Sequence, residues 1–114
     1  MGTKNIKNII KADLANAGER FENVYPLDRD NWISVGSFGS FGNFPGHVEI
    51  RDHINGSYFS EVWFSFDKDN FDAAWEKFIE NLNFVRKINW KVGHRKISLG
   101  IKNFLNKLGE LEVA

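Results

Sequence analysis

Cationic side chains are concentrated in the segment from residue 86 to residue 107, which holds seven Lys or Arg residues, one His and no acid. Clustered Lys and Arg bind phosphate groups and acidic protein surfaces, and aromatic rings such as Trp90 can stack on single-stranded nucleic acid. Residues 28–85, by contrast, hold ten acids and four bases. We predict that the basic segment binds a partner through these residues: Arg86, Lys87, Lys91, His94, Arg95, Lys96 and Lys102.

The composition of this segment leaves three occupants open. An acidic protein partner is the one we expect, because charge would steer the encounter and exposed aromatic rings would add affinity. A nucleic acid bound along residues 86–107 is the alternative, although an isoelectric point near 6.8 is low for a nucleic-acid-binding protein. The basic segment could also pair with the acidic one inside the fold.

The tract from Gly36 to Gly46, GSFGSFGNFPG, repeats glycine and phenylalanine at every third residue. It lacks the Gly-x-Gly spacing of a dinucleotide-binding loop and the Gly-Lys-Ser/Thr of a P-loop, and a predicted strand follows it, which argues against phosphate binding. We expect an irregular connection between strands whose rings either cap the core or form an aromatic contact loop. Phe38 and Phe41 are therefore included among the predicted partner-binding residues.

Histidine and glutamate residues on the next strands are the candidates for metal chemistry. His47 and His53 lie six residues apart, about 20 Å along a strand, which is too far for one ion. A site built from Glu49, Glu61 and one histidine is a weaker alternative, that of a metal-dependent nuclease or hydrolase. The chain has no cysteine and no nucleophile elbow. We expect a solvated sheet face here, no cofactor or metal, and a non-catalytic protein.

Apolar periodicity predicts the elements that position these residues. Steps of three or four residues indicate a helix from Thr3 to about Glu22, ended by Tyr25-Pro26, and a second helix over 69–84. Strands are predicted over 31–35, 47–54, 58–66, 88–92 and 97–99, followed by a helix over 101–108. The approximate order αβββαββα describes a single α+β domain over residues 1–114, with a mainly antiparallel sheet of four or five strands packed on helices.

Side-chain parity predicts the register of the hairpin at Asn55-Gly56. The apolar residues of its two strands are all even-numbered, so they share a face only if the numbers of paired residues have an even sum. A two-residue loop would give an odd sum, and we therefore predict a three-residue loop. The residues concerned are Val48, Ile50, Ile54, Tyr58, Val62, Phe64 and Phe66.

The composition is that of a folded protein of one domain's size, because 42% of the 114 residues are apolar and 15% are aromatic. No stretch approaches the roughly 20 apolar residues of a membrane span, and we expect no membrane partner. The absence of cysteine and of a signal-like start favours a cytoplasmic location. The expected function is a small macromolecule-binding protein of the inhibitor, immunity or accessory type.

Overall fold

Three helices and four strands form the part of the chain that the computed structural model describes, residues 5–18, 20–38, 42–52 and 57–112. In chain order they are α1 (Ile6–Ala15), β1 (Arg20–Pro26), β2 (Asn31–Phe38), β3 (Asn43–Asp52), β4 (Ser57–Asp67), α2 (Phe71–Lys91) and α3 (Arg95–Glu112). The strands form one antiparallel sheet whose spatial order follows the chain. The predicted α+β class with a four-stranded antiparallel sheet is confirmed.

One face of the sheet packs against the helices and forms the hydrophobic core. Side chains alternate between the two faces of a strand, so every second residue of β2, β3 and β4 is buried over the ranges with described side chains, 31–36, 43–50 and 62–67. Phe66 lies at the centre of the core, with ring centroids 4.6–5.6 Å from those of Phe64, Phe71, Trp75 and Phe78. The helices also contribute fully buried side chains to the core: Ile10, Leu14, Leu82, Ile101 and Phe104.

The close packing of β3 against its neighbours requires glycine at position 46. A Cβ there would lie 2.5 Å from the Ser34 carbonyl oxygen and 2.8 Å from the ring of Phe64. Phe64, the cross-strand partner of Gly46, therefore covers the glycine with its ring. This close approach shows why part of the glycine-rich tract is structural.

The first helix is shorter than predicted, because it ends at Ala15 and the chain from Arg20 onward forms strand β1. The Asn5 side chain caps α1, which ends at Ala15. In β1, Phe21 packs against the core and Tyr25 is 5% exposed. The prediction of a helix to Glu22 was wrong because residues four apart share a face in a strand as well as in a helix.

Residues 88–91 and 97–99 are helical and Val92 is the C-cap of α2, so the strands predicted over 88–92 and 97–99 were wrong. The first segment is the end of α2, and the second belongs to α3, which also contains the helix predicted over 101–108. The alternating apolar residues of the first segment are all exposed, so their alternation does not mark a buried strand face.

The register between β3 and β4 confirms the parity prediction in the part of the hairpin that covers the core. Val48 pairs with Val62 and Ile50 with Ser60, so the paired numbers have an even sum. The even-numbered apolar residues with described side chains are all buried: Val48, Ile50, Val62, Phe64 and Phe66. His53 and Ile54 lie outside the described residues.

The predicted three-residue loop was wrong, because Asp52 pairs with Ser57 and four residues connect them. The pairing shifts by one between Ile50 and Arg51, where it passes over Phe59. Such a bulge places one extra residue on one strand and leaves the ladder beyond it intact. Because of this shift, the numbers of paired residues have an even sum where the strands cover the core and an odd sum at the end of the hairpin.

Helix α1 is tied to α2 by charged side chains. Lys11 donates to the Asp72 carboxylate at 3.1 Å, and Lys7 lies 3.5 Å from it. The hydrogen bond from Lys11 lowers the pKa of the Asp72 carboxyl. Asp72 is exposed, so this pair orients the helices more than it stabilises them.

Candidate functional site

A tight turn joins α2 to α3 and makes the two helices a hairpin. Gly93 has φ of 94°, in the left-handed region that favours glycine. The His94 N–H donates to the Asn89 carbonyl at 2.6 Å and the Gly93 N–H to the Trp90 carbonyl at 3.3 Å, the two bonds of a Schellman motif. The turn joins two helices, whereas the sequence predicted strands on both sides of it.

Ser98 determines how closely α3 approaches α2. Its side chain is 1% exposed, and its hydroxyl donates a hydrogen bond to the Arg86 carbonyl oxygen. The buried polar group is therefore satisfied. Ile101 and Phe104, both fully buried, hold the next turns of α3 in the core. The two helices thus meet at Ser98, beside the basic residues.

The predicted basic residues all lie on the last turns of α2, the turn and the first turns of α3, a region that we call the basic hairpin end (residues 86–102). Within the described part of the chain none of them forms a salt bridge, whereas Lys7, Lys11 and Lys107 do. The described acidic residues therefore do not neutralise these cations. Arg86 is half-buried, and the other six are exposed: Lys87, Lys91, His94, Arg95, Lys96 and Lys102.

Apolar side chains are exposed in and beside the basic hairpin end. Of the seven large apolar residues that are exposed among those described, five lie between positions 84 and 99. Apolar groups clustered on a surface in this way are typical of interaction sites. The five are Phe84, Ile88, Trp90, Val92 and Leu99.

A groove of about 390 Å³ lies between α2 and α3 on the basic hairpin end. The Trp90 ring and the Leu99 side chain supply apolar walls, and cationic side chains surround them. We call it the interhelical groove. It is lined by Arg86, Lys87, Trp90 and Lys91 of α2 and by Ser98, Leu99 and Lys102 of α3.

Trp90 is one of the residues predicted to form a strand over 88–92, and it lies instead on the exposed surface of α2. The ring is 51% exposed, and the Arg95 guanidinium carbon lies 5.3 Å from its centroid. This is the geometry of a cation–π contact, which holds the ring in place across the turn. Trp90 therefore belongs to the surface of the basic hairpin end.

The apolar part of this surface was missed by the sequence analysis. Phe84 and Leu99 were not assigned to any site, and the residues at 88, 90 and 92 were assigned to a strand. The available signal was that these residues do not fit the apolar stripe of α2, which runs through Phe71, Trp75, Phe78 and Leu82.

The aromatic half of the predicted site is described only in part. Phe38 is the last residue of β2, where the structure describes only its backbone. Phe41 lies outside the described residues. Phe44, the third phenylalanine of the tract, is 2% exposed and makes an edge-to-face contact with Phe21 at 5.8 Å. This ring caps the core, as one of the two expectations had it.

The sheet face opposite the helices carries the histidine and glutamate candidates. His47 Nε2 lies 2.7 Å from Glu49 Oε1, and the His47 ring lies 4.8 Å from that of Trp63, which is 63% exposed. No group of three metal-binding side chains occurs among the residues whose placement is described. His47 and Glu49, two of these candidates, are brought together without a third described ligand.

A second, wider cleft of about 490 Å³ lies between β4 and the first half of α2. Asp67 and Lys77 are the only charged residues in its described lining, and the Asp67 carboxylate already accepts the Asp69 N–H at 2.9 Å. The remaining lining consists of amide, hydroxyl and apolar groups, which do not form a constellation of acid, base and nucleophile.

Two further findings bear on function. Across the described ranges, no helix has the length and apolar character needed to cross a membrane. No protein-family model, curated protein or solved structure matches this chain.

Proposed function

We propose that this chain is a small non-catalytic protein-binding domain that docks its basic hairpin end onto an acidic surface of a partner protein. The observation that carries the proposal is that cations without described salt-bridge partners surround exposed apolar side chains there. Charge would steer and orient the partner, and burial of rings such as Trp90 would supply affinity.

Exposed aliphatic groups favour a protein over a nucleic acid as the partner. Ile88, Val92 and Leu99 offer nothing to a phosphate backbone, whereas protein interfaces bury such groups. A nucleic acid bound along residues 86–107 stays the second candidate, because the exposed Trp90 ring could stack on a base. A metal-dependent hydrolase is the weakest of the three.

The inhibitor, immunity or accessory type and a cytoplasmic location belong to this proposal as well. The support for the type is the small size of the chain together with a single charged docking surface. The support for the compartment is a cysteine-free composition, which suits a reducing environment.

The proposal is tested by affinity capture with a charge-reversed variant. The tagged chain is incubated with nuclease-treated lysate of its source organism, and captured proteins are quantified by mass spectrometry. In the variant Lys91→Glu with Lys102→Glu, we expect a stoichiometric partner to be depleted about tenfold or more, because both cations face the interhelical groove.

The matched control is Arg29→Glu with Lys77→Glu, which reverses two exposed charges away from the hairpin end. This control should retain the partner. Equal capture by the wild type and the hairpin variant would contradict the proposal. A species that is captured from untreated lysate but not from nuclease-treated lysate would instead support the nucleic-acid alternative.

A further inference from the structure

We infer that the interhelical groove is an anchor site for an acidic peptide segment of the partner that presents one large apolar side chain. The inference rests on the proposed function and narrows it. The cations orient the segment, and the groove accepts its apolar residue. The charge and the shape of the segment therefore both determine binding.

The floor of the groove favours an apolar group. Ser98 is the uncharged polar residue among those that line it, and its hydroxyl already donates to the Arg86 carbonyl. A bound polar group would find no free hydroxyl donor there, whereas an apolar group would leave nothing unsatisfied. Leu99 and Trp90 are 48% and 51% exposed, and binding of an apolar group would remove more of their apolar surface from water.

The Trp90 wall is already in place before a ligand arrives. The Arg95 guanidinium lies 5.3 Å from the centroid of the ring, and it comes from the other side of the turn. A ring fixed by a cation loses little rotamer freedom on binding, which lowers the entropic cost of association. The groove is therefore preorganised for one anchor.

The rim determines the charge of the ligand. Four cations line the groove, and no described carboxylate forms a salt bridge with any of them. A ligand that brings carboxylates beside its anchor would supply the missing countercharges. The groove volume of about 390 Å³ lies within the roughly 300–1,000 Å³ of ligand pockets, so the groove has room for a large apolar side chain.

Other anionic occupants match only half of these features. A nucleic-acid strand would satisfy the cations but has no aliphatic group to place against Leu99. A lipid bilayer would bury apolar residues, but it presents a broad surface, whereas the Trp90–Leu99 site is concave. The acidic segment with an apolar anchor is the occupant that matches both charge and shape.

The test separates charge from the anchor by adding charge where the anchor binds. Leu99→Lys makes the hairpin end more basic but removes an apolar wall, and Val24→Lys is the matched control at an exposed apolar residue of β1, outside the basic hairpin end and the groove lining. Random peptides displayed on phage are selected against the wild type. The enriched peptide, single-stranded DNA and vesicles of phosphatidylserine with phosphatidylcholine are then titrated against all three proteins by fluorescence anisotropy or co-sedimentation.

The expected result is a consensus with several acids around one Leu, Phe or Trp. Its affinity should fall about tenfold or more in Leu99→Lys and should change by less than about twofold in Val24→Lys. Thermal unfolding of both variants checks that they are folded, as exposure of both positions predicts.

Three outcomes would overturn the inference. Enrichment of no peptide would do so, as would a purely acidic consensus that binds Leu99→Lys as tightly as the wild type. In the second case the docking is by charge alone, and the proposed function stands. Preference for the DNA or the vesicles would overturn the proposed function together with the inference.

Discussion

A single hydrogen bond joins α1 to β1: the Tyr25 hydroxyl donates to Asp13 Oδ2 at 2.7 Å from a ring that is 5% exposed. Burial first, and then the bond to the Asp13 carboxylate, raises the pKa of the Tyr25 hydroxyl well above its ordinary range. Because the pKa is higher in the folded state than in the unfolded one, this contribution to stability is complete below about pH 10 and is lost as the pH rises further.

We therefore expect Tyr25→Phe to lower the free energy of unfolding by about 1–2 kcal/mol at neutral pH, through loss of a hydrogen bond to a charged acceptor. The difference between the wild type and the variant should shrink above about pH 10, where the unfolded wild type ionises. Urea unfolding of both proteins at neutral pH and near pH 10.5 measures this difference in the free energy of unfolding. A difference that stays constant across this range would contradict the assignment.

At the scale of elements, the Schellman turn at Gly93 is the joint on which the basic hairpin end depends. Gly93→Ala should lower the free energy of unfolding by about 1 kcal/mol, because φ of 94° is strained for alanine. An added Cβ would meet no atom within 4 Å, so the whole cost is in the backbone.

Gly109→Ala is the control with the opposite expected sign. Gly109 lies within α3, and a Cβ there also meets no atom within 4 Å. Alanine should therefore stabilise the protein by roughly 0.5–1 kcal/mol through helix propensity. Chemical denaturation of the two variants and the wild type measures both changes in the free energy of unfolding. Two changes of the same sign would refute this account of the turn.

The sequence was sufficient to predict the elements that have one buried face. The stripe from Phe71 to Leu82 predicts most of α2, and even-numbered apolar residues predict the register of β3 with β4. It was also sufficient to locate the cations of the site, because the number of charged residues in a segment is the same whether the segment forms a strand or a helix.

The other elements could not be predicted, because the same spacing of apolar residues can arise in a helix, in a strand or on an exposed surface. Phe21 and Tyr25 share a face in either a helix or a strand, so β1 was missed. Ile88, Trp90 and Val92 alternate as a strand does, but they are exposed in the structure. Periodicity reports burial in the chain's own core, and it fails where apolar residues lie on the surface.

At the scale of the whole molecule, the exposed side chains of the basic hairpin end lie apart from the hydrophobic core, to which this region contributes Ile101. Leu82 is the last residue of α2 that is fully buried, and the exposed residues Phe84 and Ile88 follow it. Substitutions at the exposed positions beyond Leu82 therefore remove little core packing, which is why the charge-reversal and Leu99 variants are suitable probes of binding.

The same separation predicts a conflict between stability and binding at the start of α3. Arg95 and Lys96 lie in its first turn, which contains no acid, although the positive end of the helix dipole favours anions. We expect Lys96→Glu to raise the free energy of unfolding by about 0.5 kcal/mol at low ionic strength and to weaken partner capture.

Urea unfolding at low and high salt tests this, because salt should remove most of the gain. Lys102→Glu is the control, since it lies beyond the first turn and should gain less. A variant Lys96→Glu that is less stable than the wild type at low salt would contradict the expectation.

The register shift in the β3–β4 hairpin has a consequence for insertions and deletions. Because the pairing passes over Phe59, loss of one residue from the start of β4 would convert the bulge into a regular ladder and keep the pairs Val48–Val62 and Ile50–Ser60 unchanged. A one-residue deletion between Val62 and Phe66 would instead turn apolar side chains out of the core. The length of the chain can thus vary at the end of this hairpin while the core keeps its alignment.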